Sequence, residues 1–229
     1  DQVGPEVVDL VNEMRSLEGG PDAWVGGAAA SQYDFIQAVG KGMPAALTTV
    51  ALVVLVLLFL MTGSVIVPIK ALIINSLSII AAMGATTAVF QNGWLGVPKT
   101  LGIESFIVVC MVAFGFGLSM DYEVFLLARI REYWDKGFNN DDAVAAGLQR
   151  SGRIITSAAA IIIAVFVGFA MGDMIAIKQL GVGLAIMVAM DATIVRMLLV
   201  PATMTILGKW NWWAPAPLAR FAERFSLKH

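Results

Sequence analysis

"MPAALTTVALVVLVLLFLMTG", Met43 to Gly63, contains no charged side chain. A helix rises 1.5 Å per residue, and about 20 apolar residues cross the hydrocarbon core of a bilayer. Inside lipid a single segment must bond its own backbone groups, and an α-helix does so. The run from Met43 to Gly63 is therefore read as a membrane span. Working outward, residues 68–90, 104–128, 154–172 and 179–208 are also long and apolar enough to cross. The composition agrees. Hydrophobic residues make up 59% of the chain and charged residues 14%, against roughly 25% charged in a soluble domain. The mean hydropathy is +0.81. The expected fold class is an all-α transmembrane helix bundle of five spans.

The residues before Met43 are different. Residues 1–42 are polar and mixed, and they carry no signal-peptide pattern. They are expected to form a water-soluble segment. Val7, Leu10, Val11, Met14 and Leu17 fall on one helical face over 3–17, with Pro5 near the start. Gly19, Gly20 and Pro21 end that helix. Ala23, Trp24 and Val25 read as a short strand, and Ser31 as the cap of a helix that runs into the first span. One helix and one strand are too little for a domain. The segment is expected to be the end of a larger extracytoplasmic α+β domain.

Basic residues orient the spans, because lysine and arginine favour the cytoplasmic side. With residues 1–42 outside, Arg15, Lys41, Lys99 and Lys178 lie outside, and the other eleven of the 15 basic residues lie inside or at inner span ends. Residues 43–208 are thus a five-span domain with a cytoplasmic loop at about 129–153. That loop has a helix-start signal at Asn139, Asn140, Asp141 and Asp142. Residues 209–229 form a cytoplasmic tail. Trp210, Trp212 and Trp213 suit the headgroup region. Leu218, Phe221, Ala222 and Phe225 share one apolar face, which lies either on the inner membrane surface or on neighbouring protein. Cys110, the one cysteine, lies in a span, so no intrachain disulfide forms.

Chemistry-bearing residues are few. There is no phosphate-binding glycine loop, no metal-ligand cluster and no nucleophile–base set. ATP-driven or enzymatic readings have no residues to stand on, and no cofactor or metal is expected. What stands out is Asp121 with Tyr122, reached after sixteen residues without a charge. An ionisable residue in a span usually faces the bundle interior and marks an ion or proton path. Phe114, Gly117, Asp121, Phe125 and Ala128 lie along one helical face. Gly117 admits a neighbouring helix, and Tyr122 offers a phenol to a facing carboxylate. Two readings stand for Asp121. It is a proton carrier within the bundle, or a carboxylate at the membrane edge, with Arg129 roughly 12 Å further along the helix. Glu123 points away from Asp121 toward the cytoplasmic interface. Asp191 is a second proton group or a structural partner. On an α-helix it does not face Arg196, which is expected to snorkel to the inner surface. Ser157 and Thr156 are placed for hydrogen bonds across helices.

The stretch "GLSMDYEVFLLARIRE" (117–132), with residues 152–215, from "GRIITSAAAIIIAVFVGFAMG" to "NWWAP", resembles the second half of the mycobacterial membrane protein large (MmpL) family. That family belongs to the resistance-nodulation-division (RND) superfamily of proton-driven exporters. The run Asp121-Tyr122-Glu123 followed by Phe125, and the run Asp191-Ala192-Thr193 followed by Arg196, carry the likeness. The resemblance implies twelve spans in two pseudo-symmetric halves, each with a large outer porter domain. This chain would hold the end of the second porter domain and the last five spans. It would have as partners an N-terminal half with its own Asp-Tyr pair, membrane lipids and a lipidic or hydrophobic substrate, with no nucleic acid. By the same resemblance Asp121 and Tyr122 are the proton relay, with Gly117, Phe125 and Ser157 in support. The implied function is proton-motive-force-driven export across a bacterial plasma membrane. The alternatives are a non-transporting sterol-sensing or Patched-like sensor or scaffold, and a protein-export helper of the SecD/SecF type.

Overall fold

The computed structural model describes residues 5–16 and 25–218. Among them are five helices long and apolar enough to cross a membrane. The chain divides into two compact units, residues 1–52 and 53–229.

In the first unit, α1 (Pro5–Ser16) matches the expected helix. The Arg15 guanidinium forks onto Asp34, with N–O distances of 2.6 and 2.8 Å. Both side chains are substantially exposed, and exposed pairs stabilise little. The next helix, α2 (Ala28–Thr62), carries Asp34 and begins earlier than expected. Ser31 is not its cap but lies inside its first turns, donating its backbone N–H to the Gly27 carbonyl at 2.9 Å. Helix α2 continues through Pro44 without a break, and its 35 residues make it roughly 50 Å long, more than a bilayer core requires. The expected strand falls mostly outside the described residues, at Ala23 and Trp24. Val25 is described and extends no sheet, and no strand exists among the described residues. The structure therefore does not show an α+β remnant.

In the second unit, α3 (Ile66–Asn92), α4 (Ser105–Asp135), α5 (Asn140–Ala170) and α6 (Ile175–Met190) pack as a bundle. Residues 129–153 are not a loop holding one short helix. Helices α4 and α5 run on past their apolar parts and leave only a tight turn at 136–139. Gly137 takes φ +90° there, and its N–H bonds the Trp134 carbonyl at 2.9 Å. Asn139 caps α5 as its sequence signalled, its side chain accepting from the Asp142 N–H at 2.9 Å. Close contact is made by small residues. A Cβ on Gly181 would stand 2.5 Å from the Ala170 backbone nitrogen and 2.6 Å from the Phe166 carbonyl oxygen, so α6 lies directly on the α5 backbone.

The last span changes pitch. After α6 comes a π-helical segment, Asp191–Leu199, then α7 (Val200–Leu207) and a 3₁₀ turn, Gly208–Trp212. Two local features favour the widening. Pro201 has no N–H for the carbonyl four residues back, and its ring crowds that carbonyl. The Thr193 hydroxyl bonds the Ala189 carbonyl at 2.5 Å. At this end Trp212 stacks on Trp134, ring centres 5.2 Å apart, with Arg131 over its face at 5.1 Å. Trp210 and Trp213 stay on the surface, so only two of the three indoles are free for a headgroup layer. Leu218 is exposed; Phe221, Ala222 and Phe225 lie outside the described residues.

Candidate functional site

The inward face of α4 is set by small and polar residues four apart: Met111, Gly115, Ser119 and Glu123, continued by Leu127. A Cβ on Gly115 would collide with the Met187 thioether of α6. The close approach expected at Gly117 is therefore made at Gly115, and Gly117 has nothing within 4 Å. The face bearing Phe114, Gly117, Asp121 and Phe125 is exposed in this bundle, with Phe114 at 53% and Phe125 at 37%. Arg129 lies over the Phe125 ring at 5.8 Å. A helix turns through 3.6 residues, so side chains two apart point to nearly opposite sides. Burying Ser119 and Glu123 thus turns Asp121 outward.

Glu123 does not reach the cytoplasmic interface. It is 3% exposed, and its Oε2 accepts a hydrogen bond from the Asn75 side-chain amide on α3 at 3.2 Å. The other Asn75 amide atom, Oδ1, accepts from the Ser119 hydroxyl. Ser119 Oγ also lies 2.7 Å from Asp191 Oδ1. Lys70 of α3 is buried too and interacts electrostatically with Glu123. Its Nζ and Glu123 Oε1 have no hydrogen-bond partner among the described residues.

Asp191 and Arg196 correct the sequence reading. Arg196 does not snorkel. It is 1% exposed, with Nε 2.8 Å from Asp191 Oδ2 and Nη2 2.6 Å from the same oxygen. Its Nη2 also donates to the Ser119 carbonyl and lies 3.2 Å from Ser119 Oγ. The pair forms because residues 191–199 are π-helical. Bonding from i to i+5 brings the fifth residue back over the first, where an α-helix would splay them.

Tyr122 joins the two sides of α4. It is half-buried, and the Arg196 guanidinium lies over its ring at 5.1 Å from the centre, a cation–π contact. With Gly115, Ser119, Met187 and Asp191 it lines a cavity of about 10 Å³, room for roughly one water. Ser157 is not part of this site. It is exposed, and its hydroxyl bonds the Ile154 carbonyl of its own helix at 3.1 Å; Thr156 likewise bonds back to Gly152 at 2.9 Å. The structure thus assembles Tyr122 and Asp191 with Asn75, Ser119, Glu123, Lys70 and Arg196. Asp121 sits beside them on the outer face. The signal for the unforeseen members was the spacing of Gly115, Ser119 and Glu123. Among the described residues no group of histidine, cysteine, aspartate and glutamate could hold a metal ion.

The chain is 46% identical over 94% of its length to the mycolic acid-containing lipids exporter MmpL11 of Mycolicibacterium smegmatis, covering 23% of that protein. It is 42% identical over 92% of its length to the haem uptake protein MmpL11 of Mycobacterium tuberculosis, covering 23% of it. It is 38% identical over 95% of its length to the trehalose monomycolate exporter MmpL3 of the same species, covering 24% of it. The chain thus spans about a quarter of the length of these curated relatives. With five apolar helices and transport proteins as relatives, it is a multi-pass membrane protein. The model of the MMPL family matches residues 3–225, and the chain belongs to that family, within the RND transporters.

Proposed function

We propose that the chain is the C-terminal part of a secondary transporter that uses the proton motive force to export a lipidic or hydrophobic substrate across the bacterial plasma membrane. Asp121 and Tyr122 form the proton relay. Residues 1–42 are extracytoplasmic, and the α4–α5 turn and the C-terminal tail are cytoplasmic.

One observation carries this reading. Asp121 sits about 24 Å from the first residue of the 31-residue α4 by helix rise, on its exposed face, while the phenol ring beside it contacts the buried Arg196. A carboxylate held against lipid is costly. A second half of the transporter, with its own Asp-Tyr pair, would cover it. Taking up a proton removes the Asp121 charge and with it the cost of packing that face against apolar neighbours. Losing the proton restores the charge and favours an arrangement that admits water. Tyr122 ties this outer carboxyl to the Arg196–Asp191 pair, so a change on one side of α4 is felt on the other. Asp191, buried on the other side of Tyr122, is the second acid of the mechanism.

The relatives named as exporters of mycolic acid-containing lipids and of trehalose monomycolate support a lipidic cargo. The relative named for haem uptake supports a second reading, inward movement of a flat hydrophobic ligand. Export and uptake are separated with energised inside-out and right-side-out vesicles of the intact protein, offered labelled lipid or haem in turn. Export that survives in Asp121→Asn at the unmutated rate, with equal protein in the membrane, removes Asp121 from the proton path.

A further inference from the structure

The cluster inside the bundle contains more hydrogen-bond contacts than it has hydrogens to fill them. Three contacts run in series. Glu123 Oε2 meets the Asn75 amide, the other end of that amide meets Ser119 Oγ, and Ser119 Oγ meets Asp191 Oδ1 at 2.7 Å. Each contact requires one hydrogen between its two heavy atoms. An ionised carboxylate only accepts, a serine hydroxyl donates once, and a side-chain amide donates only from its nitrogen. Asn75 therefore fills one contact and Ser119 one, and the third is left as oxygen facing oxygen. Turning the amide end for end does not change the count. It only moves the deficit from the Asp191 end to the Glu123 end.

We propose that Glu123 and Asp191 hold one bound proton between them, its place set by the orientation of the Asn75 amide and the Ser119 hydroxyl, making this cluster a protonatable site distinct from Asp121. With the amide nitrogen toward Glu123, Ser119 donates to Asn75, and the proton is on Asp191, which donates to Ser119. With the amide reversed, Asn75 donates to Ser119, Ser119 donates to Asp191, and the proton is on Glu123. Between these states one carboxyl loses a proton and the other gains one, so the total charge of the cluster is unchanged. All four side chains are between 1% and 7% exposed, and the 2.7 Å between Ser119 Oγ and Asp191 Oδ1 leaves no room for a water between those oxygens. The charged groups facing the pair are Lys70 from α3 and Arg196 from the π-helical segment, with Asp121 beside Tyr122 on α4. Both cations favour carboxylates, yet neither fills the open contact. Arg196 donates to Ser119 and Asp191 through Nε and Nη2, while its Nη1 and the Lys70 Nζ bond to none of the four. Glu123 Oε1, buried and unbonded, faces the same interior.

The inference concerns the protonation of the cluster and does not depend on proton-driven export. The test is infrared spectroscopy of the intact protein in lipid nanodiscs at neutral pH, reading the carbonyl stretch of protonated carboxyl groups and its shift in heavy water. The unmutated protein should show a band that persists in Asp121→Asn. Glu123→Gln and Asp191→Asn should each abolish it, because a new amide donor at either end fills the third contact without a proton. Ser119→Ala should abolish it as well, by removing two contacts at once. Circular dichroism of each variant shows that the helices are intact. Should a variant lose its helices, the test rests on the others and on the unmutated spectrum. No such band in the unmutated protein, a band lost only in Asp121→Asn, or a band removed by one end of the pair and retained at the other, overturns the shared proton.

Discussion

Replacing Arg196 with methionine removes a guanidinium that satisfies three groups at once. It donates to Asp191 through Nε at 2.8 Å, it donates to the Ser119 carbonyl, and it covers the Tyr122 ring at 5.1 Å. The two ionic side chains are 2% and 9% exposed, so screening by water is slight. Breaking a buried pair by removing one partner costs about 3–5 kcal/mol, chiefly because the other charge stays buried alone. Roughly 1 kcal/mol more follows from the lost cation–π contact. At about 2–4 °C per kcal/mol, the melting temperature should fall on the order of 10 °C. Asp191→Leu alone leaves the guanidinium unpaired and should cost a similar amount. The double variant, Asp191→Leu with Arg196→Met, leaves no stranded charge and should recover most of the loss. The assay is a double-mutant cycle on the detergent-solubilised protein, with unfolding followed by tryptophan fluorescence or size-exclusion recovery after heating. An interaction energy of 2 kcal/mol or more is expected. Single-variant losses that simply add in the double variant would refute the pair, and with it the π-helical geometry that creates it.

Other outcomes follow from the same contacts. Asp121→Asn should abolish export while leaving expression and melting temperature close to the unmutated values, since Asp121 is exposed and makes no hydrogen bond or ion pair among the described residues; a large stability loss would contradict its outward placement. Tyr122→Phe keeps the ring under Arg196, so it should preserve stability and impair export through the lost hydroxyl, as read by vesicle transport. Gly181→Ala places a methyl group against α5 backbone and should cost about 1–3 kcal/mol by overpacking, whereas Gly117→Ala, with open space around it, should fold normally; equal melting temperatures for the two would remove the close α5–α6 contact. In a variant without Cys110, a cysteine at Leu101, which is 86% exposed, should react with an impermeant reagent from outside intact cells, and one at Lys136 should react only after lysis; the reverse pattern inverts the topology.

The spans were legible because the membrane demands only length and apolarity; four apolar runs each lie in one α-helix, and the fifth is a span whose helical pitch changes. Their ends were less so. Helix α4 continues past its apolar part because Arg131 and Glu132 are good helix formers and Arg131 pairs with Asp135 along the helix surface at 3.0 Å. A rule that ends a helix at the first charge misses this. Which face of α4 packs within this bundle was less legible for a related reason. In a soluble helix, polarity marks the side facing water. In a membrane helix charge alone does not choose the packed face: Asp121 is exposed here, while Ser119 and Glu123 on the opposite face are buried. The stronger signal was size. Gly115 lets the Met187 side chain against the backbone, and that contact fixes which way Ser119 and Glu123 point.

The buried cluster was harder to foresee because each member is weak alone. Asn75 and Ser119 are common in membrane helices, and Glu123 belongs to a run that ends in basic residues. Only their joining across α3, α4 and the last span makes them a unit, and that joining depends on a change of helical pitch. An α-helical template places Asp191 and Arg196 on different faces and sends the arginine to the surface. Pro201 and Thr193 were both visible in the sequence, and each disturbs the i to i−4 ladder near the same place. Two such disturbances within nine residues of a span that carries both a carboxylate and a guanidinium are a sequence-level reason to test a widened turn before assigning faces. The π-helical segment then brings Arg196 under Tyr122 and beside Ser119. The outer carboxyl at Asp121 and the inner acids at Glu123 and Asp191 are thereby separated by one aromatic ring and one guanidinium.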